Sequence, residues 1–85
     1  MIVFYKKTGD IVGTIDGRIH TEEQLKMWVG DKNETERLIV QWKPLENGDY
    51  EPNTNQKELF IELDKNPSLI FKYKIEVATK QLIKK

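Results

Sequence analysis

One short stretch of this chain carries a complete set of helix signals, and it is too short to stand alone. Thr21 is a good N-cap and Gln24 follows three residues later, as a capping box requires. Glu22 and Glu23 fill the first turn, where negative side chains meet the positive end of the helix dipole. Leu25, Trp28 and Val29 fall at i, i+3 and i+4, and Gly30 stands where a left-handed cap closes a helix. The spacing predicts a helix from Glu22 to Val29. A helix of little over two turns does not persist in water by itself. It must pack on a sheet, with Trp28 as its anchor.

The flanking segments supply strands. Residues 2–5 are apolar and β-prone, Lys6 to Asp10 reads as a turn around Gly9, and Ile11 to Ile15 returns, so the chain opens with a β-hairpin. Asp16-Gly17 marks the end of the second strand. After a polar loop from Asp31 to Glu36, Leu38, Val40 and Trp42 share one face of a strand running from Arg37 to Lys43, and Pro44 stops it. Residues 44–56, with two prolines and Asn47-Gly48, read as a long connection. Leu59, Ile61 and Leu63 alternate with polar residues and Phe60. Leu69 to Val77 alternates again, which predicts a second hairpin ending in a central strand. Residues 78–85 form a basic tail in which Leu82 and Ile83 can extend that strand. The order ββαβββ predicts an α+β fold: a mostly antiparallel five-stranded sheet with one short helix packed on one face, all within a single domain, 1–85.

Composition narrows the chemistry. There is no cysteine, so disulfides and thiolate metal sites are excluded. No apolar run is long enough to cross a membrane, and the first residues lack the charge-then-apolar order of a secretory signal, so an intracellular or virion location is expected. His20 is the only histidine and Ser68 the only serine. A catalytic triad would have to join those two, and nothing around Ser68 resembles a nucleophile elbow. The run from Asp31 resembles the start of a calcium loop but has Glu36 and Trp42 where glycine and a bidentate acid belong. Asn33-Glu34-Thr35 matches a glycosylation sequon by chance. The expectation is no enzyme, no cofactor and no metal.

Two features read as interaction surfaces. One is the 44–56 loop, with Leu45 and Tyr50 in polar surroundings. The other is the sheet face that a single helix leaves bare, holding Val3, Tyr5, Val12, Ile39, Phe60 and Ile70. Charge is uneven as well: residues 44–64 carry one positive and six negative side chains, residues 65–85 six positive and one negative. Cross-strand pairing of Glu58 and Glu62 with Lys72 and Lys74 is the plain explanation. The alternative is a nucleic-acid surface on the basic C-terminal strand. Against it, Phe71 and Tyr73 fall on the face opposite the lysines.

The opening segment Phe4-Tyr5-Lys6-Lys7-Thr8-Gly9-Asp10-Ile11-Val12-Gly13-Thr14 resembles the starts of small uncharacterised phage and metagenomic proteins. The closing Tyr73-Lys74-Ile75-Glu76-Val77 resembles the C-termini of small phage structural proteins. The resemblance implies a structural or accessory role and transfers no functional residue. The expected function is a non-enzymatic protein-interaction module, a structural or accessory component of a larger assembly such as a virion. Its partner is a protein or a second copy, met through Tyr5, Ile39, Leu45, Tyr50, Phe60, Ile70, Lys72 and Lys74. The second reading is a small regulatory or inhibitory protein that binds nucleic acid, or an enzyme handling it, through the basic strand.

Overall fold

The computed structural model describes residues 1–26 and 35–85. They form β1 (Ile2–Lys6), β2 (Ile11–Ile15), α1 (Glu22–Lys26), β3 (Thr35–Ile39), β4 (Trp42–Pro44), β5 (Tyr50–Pro52), α2 (Lys57–Lys65), a 3₁₀ helix (Pro67–Lys72), β6 (Tyr73–Glu76) and β7 (Gln81–Lys84). The class is α+β with antiparallel sheets, as expected. The single five-stranded sheet is not formed: the strands divide into a three-stranded sheet, β2-β1-β3, and two separate hairpins, β4-β5 and β6-β7.

The opening hairpin forms as its sequence predicts. Gly9 takes φ +93°, which L side chains rarely adopt. The Gly9 N–H donates to the Lys6 carbonyl at 2.8 Å and the Lys6 N–H to the Asp10 carbonyl at 2.9 Å. β3 then pairs with the other edge of β1, Ile2 opposite Ile39 and Lys6 opposite Thr35. The capping box also forms: the Gln24 N–H donates to Thr21 Oγ1 at 3.2 Å, and the Thr21 N–H to Gln24 Oε1 at 3.0 Å. The expected continuation to Val29, the Trp28 anchor, the Gly30 cap and the sequon's Asn33 lie outside the described residues.

The later part of the chain departs from expectation. The strand expected from Arg37 to Lys43 is broken. β3 ends at Ile39, the Val40 N–H reaches the Met1 carbonyl at 2.9 Å, and the Trp42 N–H reaches the Arg18 carbonyl at 2.9 Å. The bend between them moves Trp42 into a new hairpin, of which Pro44 is the last β4 residue. The 44–56 connection is therefore largely structured. The Gly48 N–H donates to the Leu45 carbonyl, and Gly48 sits at φ +88° in the turn.

The segment from Lys57 is helical rather than extended. Leu59, Phe60 and Leu63 stand at i, i+1 and i+4, and the helix buries Phe60 and Leu63 while Ile61 is exposed. Pro67 then starts a 3₁₀ helix, a position where its missing N–H costs nothing. Only Tyr73–Glu76 of the expected long strand is extended. Residues 78–85 reverse the chain instead of extending it: the Thr79 and Lys80 N–H groups both donate to the Glu76 carbonyl, and β7 pairs back along β6.

The core lies between one face of the three-stranded sheet and the C-terminal half of the chain. Met1, Val3, Tyr5 and Val40 meet Phe60, Leu63, Ile70, Ile75 and Leu82. Full burial of side chains such as Leu63 and Ile70 contributes about 1.5–3 kcal/mol each. The element that fills this core is α2. The described part of α1 contains no buried residue.

Candidate functional site

The eight residues expected to form one surface separate into four groups. Tyr5, Phe60 and Ile70 are in the core, exposed by no more than 2%. Four of the six residues of the anticipated bare sheet face are thus interior: Val3 and Tyr5 of β1 pack in the core with Phe60 of α2 and Ile70 of the 3₁₀ helix, while Val12 and Ile39 stay exposed. Ile39 is exposed at the end of β3. Leu45 and Tyr50 come together on the β4-β5 hairpin. Lys72 and Lys74 lie exposed where the 3₁₀ helix enters β6.

The β4-β5 hairpin has a fixed stem and a bare tip. Two lysines grip Glu51 Oε1, Lys57 at 3.1 Å and Lys43 at 3.5 Å. The hydrogen bond from Lys57, with the attraction of both cations, holds the Glu51 carboxyl below its usual value. At the base, the Asn53 N–H donates to the Gln41 carbonyl at 2.8 Å. The Arg18 guanidinium lies 4.2 Å from the centre of the Trp42 ring and donates to Asp64 Oδ2 from Nε at 3.1 Å and Nη2 at 2.8 Å. Arg18 therefore ties the hairpin to α2. Sequence reading missed this junction, since nothing in the spacing of residues 18, 42 and 64 links them. At the tip, Leu45 is 36% exposed and Tyr50 48%. Pro44 pairs with Tyr50, and the Leu45 N–H closes the turn on the Asp49 carbonyl at 2.7 Å. The two side chains therefore flank one rigid turn.

The residues weighed for catalysis have other occupations. His20 is buried, with 6% exposure, and its backbone N–H donates to Gln41 Oε1 at 3.0 Å. Neither ring nitrogen has a hydrogen-bond partner of good geometry. Burial, followed by repulsion from the Met1 amine, pushes the ring's pKa down; Gln24 and the Gly17 carbonyl oppose this. The Met1 amine donates to the Gly17 and Val40 carbonyls, each at 2.7 Å, and burial lowers it from 8.0 to about 6. Ser68 Oγ donates to Asn66 Oδ1 within its own turn. A cavity of about 20 Å³ between Met1, Asp16, Trp42 and Leu63 has room for a single water. Among the described residues, no group of three or more histidine, aspartate or glutamate side chains is placed to hold a metal. No described helix is long and apolar enough to cross a membrane.

No protein-family model matches the chain, and neither the curated proteins nor the solved structures include a match to it.

Proposed function

We propose that this chain is a non-enzymatic interaction module that docks on a protein, a second copy of itself included, through the tip of the β4-β5 hairpin. The observation that carries the reading is the contrast within that hairpin. In its stem Lys43 and Glu51 pair within the chain and Trp42 stacks under Arg18, while Leu45 and Tyr50, the two large apolar side chains at its tip, face water. A rigid element presenting an aromatic and an aliphatic anchor loses little entropy on docking. The resemblance of the closing segment to the C-termini of small phage structural proteins, and of the opening segment to small uncharacterised phage and metagenomic proteins, favours a place within a larger assembly.

The test is solution mass by light scattering at low and high salt, for the native chain and for a Leu45→Ser/Tyr50→Ser double variant. Both positions are exposed, so the variant keeps its fold, which circular dichroism checks. A salt-resistant oligomer that the double variant loses makes the partner a second copy. If the native chain is a monomer, the same pair of proteins goes into partner capture, and the double variant must fail to capture. An oligomer or a captured partner that survives both substitutions unchanged overturns the hairpin as the docking surface.

A further inference from the structure

The positive charge of the C-terminal segment has lost its plain explanation. Residues 65–85 carry six lysines against Glu76. Glu58 and Glu62, expected to neutralise Lys72 and Lys74 across a sheet, stand instead on α2. Among the described residues, no ion pair involves Lys72, Lys74, Lys84 or Lys85, and all four are exposed. Glu76, the one acid of the segment, sits at the far end of the hairpin, where its Oε1 accepts from Thr79 Oγ1 at 3.1 Å.

The four lysines gather at one end of the β6-β7 hairpin. The Lys85 N–H donates to the Lys72 carbonyl at 3.1 Å, Lys84 lies opposite Tyr73, and Lys74 lies opposite Ile83. The Lys74–Ile83 pair is on the face away from the buried Ile75–Leu82 pair, and Lys84, opposite Tyr73, is exposed on the other face, so the lysines wrap around the open end of the hairpin.

Phe71 completes the feature. In a continuous strand from Leu69 it would share the core face with Ile75. The 3₁₀ geometry instead buries Ile70 and turns Phe71 outward, 52% exposed, directly before Lys72. The phase conflict seen in the sequence is thus removed at Phe71, while Tyr73 stays on the core side of β6, opposite in phase to Lys74.

We infer that Phe71 with Lys72, Lys74, Lys84 and Lys85 forms a binding surface for a short run of single-stranded nucleic acid, the lysines holding phosphates and the phenyl ring stacking a base. An exposed ring beside unpaired cations is what sequence-tolerant single-strand binding uses. A duplex offers no free base face to that ring. The surface uses none of the β4-β5 hairpin residues, so its failure and that of the docking surface are distinguishable.

The experiment is fluorescence anisotropy with a labelled short oligo(dT), a duplex of equal length and a polyglutamate peptide, each titrated across a salt series. Single-strand binding is expected to be the tightest. Its log–log salt slope should be about −3, from four lysines at roughly 0.7 each. Phe71→Ala should weaken it about five- to hundredfold with the slope unchanged, and Lys72→Glu/Lys74→Glu should abolish it. Absence of oligo(dT) binding at low salt overturns the inference. So does equal or tighter binding of polyglutamate, or of the duplex, or indifference to Phe71→Ala; the first of these would make the surface a docking site for an acidic protein.

Discussion

Gly9 performs two tasks that no other residue type can combine. It turns the opening hairpin at φ +93°, and its carbonyl accepts the Ile75 N–H at 2.9 Å, which ties the first hairpin to the last. A Cβ at Gly9 would lie 2.3 Å from the Ile75 carbonyl oxygen, which belongs to the backbone and cannot swing aside. Gly48 has a similar φ, +88°, but a Cβ there meets nothing within 4 Å. The two glycines therefore separate conformational strain from steric overlap. Gly48→Ala should cost about 1–2 kcal/mol, the left-handed penalty alone. Gly9→Ala should cost about 2–5 kcal/mol, because overpacking adds to it. Urea midpoints for the two variants decide the matter. Equal losses would mean that the close approach to Ile75 is not maintained in solution.

Elements whose signals are local were legible in the sequence. The Gly9 turn and the Thr21–Gln24 capping box involve residues a few positions apart, and both formed. The Asn47-Gly48 turn signal was also present, yet the strands it joins are only three residues long, too short for alternation to show. The segment Lys57 to Lys65 fits both periods. Leu59, Ile61 and Leu63 alternate, while Leu59, Phe60 and Leu63 make a helical stripe. The core decides between them, since burying Phe60 beside Leu63 requires the helix. That choice also moved Phe60 and Ile70 inside and Phe71 outside. The candidate site was therefore legible at Leu45 and Tyr50, apolar residues in a polar stretch, and illegible wherever a phase depended on the wrong period.

Gln56, ahead of α2, shows how such elements are joined. Its Nε2 donates to the Leu82 carbonyl at 2.9 Å, and its Oε1 accepts the Leu82 N–H at 2.9 Å, so one side-chain amide stands in for a neighbouring strand. Gln56→Ala should cost about 1–3 kcal/mol, since it leaves a backbone donor and acceptor unpaired beside the core. Amide exchange at Leu82 is the specific readout. Protection there that survives the substitution would remove the clip from this account.

At the scale of the whole molecule, two of the three small sheets, β2-β1-β3 and β6-β7, share one core. A two-stranded hairpin is marginal by itself, so β6-β7 depends on Ile75 and Leu82 packing against Val3, Tyr5 and Leu63. The β1 sheet depends equally on α2, whose Phe60 and Leu63 fill the same cluster. Neither half buries enough apolar surface without the other. Amides of β1 and of β6-β7 should therefore exchange through one common opening, and Leu63→Ala should lower both protections in parallel by about 2–5 kcal/mol. The β4-β5 hairpin differs. None of its residues belongs to the core cluster; apart from the buried Pro52, its ties are the Arg18 junction, the Glu51 ion pairs and single backbone bonds. Its amides should open at lower free energy and respond little to Leu63→Ala. Native-state exchange on the native chain and the Leu63→Ala variant measures all three regions together. A β6-β7 hairpin that exchanges independently of β1 would break the single core into two units. A β4-β5 hairpin as protected as β1 would mean that it opens only with the global fold, so that the Arg18 junction and the Glu51 ion pairs hold it as firmly as the core holds β1.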